Sequence, residues 1–299
     1  MDFELSDEQV ALIDGVRSFL EGRFPIATVR SLADEGGAEL GWADAVLAFE
    51  QLGRALVPGP LVWTHLLAGI VPGAATGETI VSGIDRDDPS GIVEFPHVID
   101  VLVVADDAGL WSVDAAALDV ADLSPLDPLT PVGRLAGPLP QGDQLVDAEA
   151  ARVLRTQGAA LTAGLLLGLA EASTDLAVAY AKDRHQFGRP IGSFQSLKHL
   201  MADMFARAEV ARGAVYAAGV TLDDPAVGSV ERAVAAAKLT SAEAALANGK
   251  TCIQVHGGMG YTSEIDAHLF LKRAYALEPA FGTRDDWADA MAELLDASV

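Results

Sequence analysis

Residues 154–183 form an Ala/Leu-rich run with apolar side chains nearly all the way round a helical wheel. A helix that is apolar on every face has to be enclosed by other elements. The run is therefore read as the central buried helix of a bundle, and the remaining sequence must supply the helices that surround it. After it, Leu197, Leu200, Met201, Met204, Ala208, Ala211 and Val215 make an apolar stripe, with Lys198, Asp203 and Arg207 off it. Met201 and Met204 are read as core filler. Ser229 caps a third run, with Glu231 in its first turn near the positive helix end, and this run reaches about residue 255. Residues 265–277 and 285–295 complete the set, the last preceded by Thr283 as N-cap, while Glu264 and Asp266 are read as caps of the run near Ile265. Four main helices with short connections read as an up-down bundle.

Upstream, Ser6 and Gln9 make a capping-box pattern, and Val10, Ile13, Val16 and Leu20 follow at helical spacing, so a helix is expected from Ser6 to near Pro25. A second helix is expected over 42–56 and a third, short one over 61–70, separated by Pro58-Gly59-Pro60. The pattern then changes. Residues 98–105 are a β-branched run, Asp106-Asp-Ala-Gly109 is a turn signal, and residues 110–113 read as the return strand. Pro125, Pro128, Pro131, Pro138 and Pro140 mark turns, so further strands there are short. The expected architecture is mainly α with a small β module: an N-terminal helical domain over 1–76, a reduced β domain over 77–148 and a C-terminal four-helix bundle over 149–299.

Composition narrows the function. With 20 basic and 43 acidic residues the net charge is −23, which argues against nucleic acid or an anionic membrane surface as partner. A phosphate-bearing ligand must then find a local basic spot. No apolar run is read as reaching the ~20 residues a membrane span needs, and no signal peptide is visible, so a cytoplasmic protein is expected. The single cysteine, Cys252, excludes an internal disulfide and reads as a small core residue. The six histidines show no metal-ligand spacing.

The basic spot is the corner Arg184-His-Gln-Phe-Gly-Arg-Pro-Ile-Gly192. Gly188 and Gly192 permit tight backbone geometry and Pro190 stops the helix. Arg184 and Arg189 offer planar forks of donors suited to phosphate. Phe187 either lies against a flat ring or anchors the turn. An ordinary Pro/Gly turn with solvated arginines fits the same residues. A second element, Gln254-Val-His-Gly-Gly-Met-Gly-Tyr261, closes the third helical run. Its three glycines leave bare backbone that a bulky ligand can approach, and they also suit a helix C-cap.

Together these two elements, with Ser193-Phe-Gln195, His199-Leu-Met-Ala-Asp203 and Leu269-Phe-Leu-Lys-Arg-Ala274, resemble the acyl-CoA dehydrogenase family of flavoproteins over residues 151–295. The opening Met1-Asp-Phe-Glu-Leu-Ser-Asp-Glu-Gln9 also looks like the family's start, whereas the middle matches poorly and has no counterpart to the family's Trp-containing strand on the flavin. The resemblance implies an FAD shared across a subunit interface and a carboxylate that removes a proton beside a thioester carbonyl while the adjacent carbon passes hydride to the flavin. It also implies that one chain supplies the corner and the Gln-x-x-Gly-Gly loop to the adenosine and pyrophosphate end of the neighbour's flavin. Carried onto this sequence, Arg184 and Gln186 would hold the pyrophosphate. Phe187, Ile191, Phe194 and Leu197 would pack round the adenosine half, and Gln254, Gly257 and Gly258 would bring an amide and backbone to it.

The base is missing. The family's usual catalytic glutamate precedes Gly-Thr, where this chain reads Phe281-Gly282-Thr283, and the position used by a second subgroup is Gly158. Neither can accept a proton. Glu278, one helical turn before Phe281, is the candidate for a displaced base. His185 and His199 could titrate, and His199 is expected to be packed. The chain therefore looks like the short non-catalytic subunit of an actinobacterial-type heteromeric acyl-CoA dehydrogenase, in fatty acid or steroid side-chain metabolism. The expected assembly is two plus two with a catalytic partner that binds most of the acyl-CoA substrate. An active homo-oligomer with a displaced base and a flavin-free scaffold are the alternatives.

Overall fold

The computed structural model describes residues 6–20, 41–86 and 90–296. Expectations that fall on residues 1–5 and 21–40, including the family-like start and the continuation of the first helix toward Pro25, lie outside them. The chain separates into two compact units, Met1–Val57 with Ala159–Val299, and Pro58–Gly158.

In the first unit, α1 (Asp7–Leu20) opens with the reciprocal cap read from sequence. The Gln9 N–H donates to Ser6 Oγ at 3.2 Å and the Ser6 N–H to Gln9 Oε1 at 3.1 Å. Helix α2 (Trp42–Arg54) is two residues shorter than expected, because Leu56 turns to a left-handed φ of 53°. Its N-terminus is capped from far along the chain: Asp223 accepts the Trp42 N–H at 2.6 Å and the Ala43 N–H at 2.9 Å.

The central helix is α4 (Ala148–Asp183). By length and composition it is apolar enough to cross a membrane, which corrects the expectation that no run reaches that length. However, 78% of its apolar window is buried, as an all-round apolar core helix requires. Helix α2 lies against it through a glycine seam. A Cβ on Gly168 would stand 2.0 Å from the Glu50 carbonyl oxygen, one on Gly53 2.2 Å from that of Leu165, and one on Gly164 2.9 Å from that of Val46. No side chain fits those gaps, so the backbones themselves are in contact.

Helices α5 (Gln195–Asp223) and α6 (Val230–His256) pack along each other and enclose α4. Leu166 and Leu169 of α4 share one core cluster with Ala242 and Ala245 of α6 and Phe270 and Ala274 of α7 (Ala267–Leu277). Ser229 caps α6 through the Arg232 N–H at 3.3 Å. Asp266 stands at the N-cap position of α7 but makes no side-chain cap bond there. Helix α8 (Arg284–Asp296) is capped as read: the Asp286 N–H donates to Thr283 Oγ1 at 3.2 Å and the Thr283 N–H to Asp286 Oδ2 at 2.8 Å.

The second unit holds α3 (Leu61–Leu66), shorter than the expected 61–70, and the small β module. Strands β1 (Val81–Asp85), β3 (Val101–Asp106), β4 (Gly109–Asp114) and β7 (Asp143–Asp147) form one sheet in the order β1-β3-β4-β7, with β1 and β3 parallel. Strands β2 (Ile92–Glu94), β5 (Val120–Leu123) and β6 (Val132–Leu135) form a second, in the order β2-β6-β5. Ile84, Leu102, Val104 and Val113 from the first sheet meet Val93 from the second in one core. The β3–β4 hairpin matches the expectation, except that β3 starts at Val101 because Val98 lies in an exposed turn. Trp111 on β4 donates its indole N–H to Asp106 Oδ1 at 2.9 Å.

Candidate functional site

The corner follows directly from the end of α4. The Arg184 N–H still donates to the Tyr180 carbonyl at 2.8 Å, and the Arg184 carbonyl accepts from the Ile191 N–H at 2.8 Å, which closes the loop. Between them, β8 (His185–Gln186) and β9 (Arg189–Pro190) pair antiparallel. Their two-residue connection is Phe187-Gly188, with φ of 53° and 77°. Two positive φ values in succession are the signature of a type I′ hairpin turn. Glycine takes this conformation freely; phenylalanine does so at a cost. The turn thrusts the Phe187 ring into solvent, where it is 92% exposed.

Around this ring the surface is cationic. Phe194 meets Phe187 edge-on at 6.0 Å between centroids, and the Arg189 guanidinium lies 4.1 Å from the Phe194 centroid. Arg184 is exposed, and no hydrogen bond or ion pair joins its guanidinium to another described residue. Gln186 is turned back, its amide donating to the His185 carbonyl at 2.7 Å. Ile191 and Leu197 are half-buried and pack inward on a cluster containing Ala177, Ala181, Met204 and Val255. His199 is exposed rather than packed, with Nε2 3.3 Å from Gln195 Nε2. It lies off the Leu197–Met204 stripe, one turn along from Gln195, which is why the expectation fails.

The glycine loop sits on that same cluster. Helix α6 ends at His256, whose ring stacks on Tyr180 at 4.2 Å, four residues before Arg184. Gly257 takes a φ of 60°, and its N–H closes on the Gln254 carbonyl. Gln254, Gly257 and Gly258 are exposed, and a Cβ on either glycine would meet nothing within 4 Å. The structure thus brings corner and loop to one end of the bundle, with exposed guanidinium donors, an exposed ring and bare backbone. That donor set fits the phosphates and flat base of a dinucleotide. The Tyr180–His256 stack and Tyr261, 80% exposed beside the loop, were not singled out from sequence. Only aromatic residues near the glycines hinted at them.

The position of the family's base is different in kind. Phe281 is half-buried at a φ of 58°, followed by Gly282 at 106°. The loop is held from below. Lys238, 1% exposed, donates from Nζ to the Glu278 carbonyl at 2.8 Å and the Ala280 carbonyl at 2.7 Å. Burial lowers its pKa to about 7, against the opposing charges of Glu278 and Asp286. The Trp287 indole N–H donates to the Phe281 carbonyl at 3.1 Å. Glu278 Oε1 accepts the Arg284 N–H at 2.8 Å, so this carboxylate serves the start of α8. Gly158 is buried within α4. Among the described residues no group of His, Cys, Asp and Glu is arranged to hold a metal ion.

A family model described as the acyl-CoA dehydrogenase C-terminal domain matches residues 150–294. The acyl-CoA dehydrogenase FadE34 of Mycobacterium tuberculosis is 36% identical over 295 residues, covering 89% of this chain and 40% of its own length. The acyl-CoA dehydrogenase IpdE2 of Mycolicibacterium smegmatis is 32% identical over 265 residues, covering 83% of this chain and 77% of its own length. Among solved structures, the ChsE4-ChsE5 complex from Mycobacterium tuberculosis contains a chain that matches with a TM-score of 0.80 at 22% identity over 99% of both chains. A chain of the Tcur3481-Tcur3483 steroid ACAD matches with a TM-score of 0.80 at 20% identity over 98% of both.

Proposed function

Since the chain belongs to the acyl-CoA dehydrogenase family, we propose that it is a non-catalytic subunit that completes the FAD site of a catalytic partner. Its corner grips the adenosine and pyrophosphate half. The Arg184 fork meets the pyrophosphate, with Gln186 swinging out beside it. Phe187 and Phe194 face the adenosine half, Ile191 and Leu197 back them from the core, and Gln254, Gly257 and Gly258 bring an amide and bare backbone. When bound, FAD supplies the hydride acceptor for α,β-dehydrogenation of an acyl-CoA thioester. The partner supplies the base and most of the substrate contacts, in an assembly of two chains of each kind.

One contrast carries the reading. Arg184, Phe187 and the bare backbone of Gly257 and Gly258 are exposed for the dinucleotide tail, whereas the position that should hold a base is a phenylalanine. The displaced-base alternative loses support because Glu278 is already bonded to the Arg284 N–H. Two of the structural neighbours, ChsE4-ChsE5 and Tcur3481-Tcur3483, carry paired names, in keeping with a heteromer.

The test is co-expression with a full-length relative that retains the glutamate, followed by a visible absorption spectrum. The pair should be yellow and turn over acyl-CoA, the isolated chain should be colourless, and Arg184→Ala should strip flavin from the pair. A yellow isolated chain whose flavin reduction is abolished by Glu278→Gln would overturn the proposal.

A further inference from the structure

A second polar cluster lies where α2 crosses α4 and α5, and the function proposed above does not use it. The carboxyls of Glu50 on α2 and Glu171 on α4 are each only 5% exposed. Glu171 is well matched: Arg54 donates to Oε2 at 2.7 Å and Arg212 Nε to Oε1 at 3.0 Å. Glu50 has no ion pair among the described residues. The Tyr216 hydroxyl donates to its Oε2 at 2.8 Å and the Gln51 amide to its Oε1 at 3.1 Å. The other charged groups facing the cluster are Asp175 from α4, bound to Arg54 at 2.6 Å, and Glu209 from α5, bound to Arg212. The two guanidiniums pair with Glu171, Asp175 and Glu209 between them, and of the four carboxyls only Glu50 is enclosed with neither of them bonded to it.

We propose that this junction is a proton-sensitive joint: Glu50 carries a proton while α2 is seated, and its ionisation loosens α2 from α4 and α5. An unpaired buried carboxylate is far costlier than a buried carboxylic acid. The neutral acid also satisfies the geometry, keeping lone pairs for Tyr216 and Gln51. Burial, and then the charge on Glu171, push the Glu50 carboxyl up to about 7 from an ordinary 4.5, with the Tyr216 bond pulling the other way. A raised carboxyl contributes stability that is complete below about pH 4.5 and is lost as pH rises through about 7. The glycine seam that also holds α2 is backbone against backbone and carries no ionisable group, so the joint loosens without the fold being lost.

Amide hydrogen exchange on the full-length chain reads this directly. Protection of residues 42–54, corrected for intrinsic rates, should fall by on the order of tenfold between about pH 5.5 and about pH 8. Glu50→Gln keeps the shape and removes the titration, so its α2 should be equally protected at both. Tyr216→Phe removes the donor that favours the carboxylate, so the midpoint should rise. Equal protection of wild-type α2 at both pH values overturns the proposal. So does a Glu50→Gln variant as pH-dependent as wild type, or a Tyr216→Phe midpoint that fails to rise.

Discussion

Replacing Lys238 with methionine should produce a stability deficit that depends steeply on pH. Methionine fills a similar volume but gives no donor to the carbonyls of Glu278 and Ala280, which lie 2.8 and 2.7 Å from Nζ. Leaving two half-buried carbonyls unmet costs up to about 1–3 kcal/mol each. Against that stands the penalty of enclosing the amine. Its pKa falls from 10.5 to about 7 on folding, so between those values the unfolded chain binds more protons and the wild type gains stability as pH rises. At about pH 7 the enclosure costs roughly 4 kcal/mol, and at about pH 9.5 only about 1 kcal/mol. The deficit of Lys238→Met should therefore be small near neutrality and grow by about 3 kcal/mol by about pH 9.5. Urea denaturation of both proteins at the two pH values measures it, and other titrating groups cancel in the difference. A deficit that stays constant within about 1 kcal/mol would mean that the amine titrates normally in the folded protein and that the reasoning fails.

Two glycines on neighbouring helices should respond oppositely to alanine. Gly168→Ala drives a Cβ into the Glu50 carbonyl and should lose about 1–3 kcal/mol. Gly213→Ala, with nothing within 4 Å, should gain up to about 1 kcal/mol; urea midpoints check both. Phe187→Asn keeps a residue that tolerates left-handed backbone, so its urea midpoint should stay put. The flavin-to-protein absorbance ratio of the co-expressed pair should fall, and an unchanged ratio would remove Phe187 from the site.

What could be read beforehand follows from the range of the interactions involved. The central helix was legible because residues 154–183 are apolar on every face, a local property. The corner was legible because arginine, glycine and proline each restrict or decorate the backbone at their own position. Strands β1, β2, β5, β6 and β7 were not, since elements of three to five residues carry too little periodicity. Lys238 in an Ala-rich helix reads as a solvated charge; its burial depends on carbonyls about 40 positions later. Glu50 is similar, because its surroundings come from α4 and α5. The positive φ at Phe187 and Phe281 also escaped notice, as only Gly188 and Gly282 beside them advertise a left-handed turn. Both pieces of the proposed site were visible one by one and the resemblance brought them to one ligand, but the Tyr180–His256 stack beneath them was not visible.

The Asp223 cap sets an order on how the chain is made. The two amides it satisfies are 180 and 181 positions earlier, so at roughly 5–20 residues per second a ribosome needs about 10–40 s to deliver the carboxylate after α2 has emerged. Until then α2 has an open amino end, even once α4 has been made and can close the glycine seam. A nascent chain of this protein is therefore committed late, and a holdase or the partner subunit arriving during synthesis would meet α2 before its own bundle does.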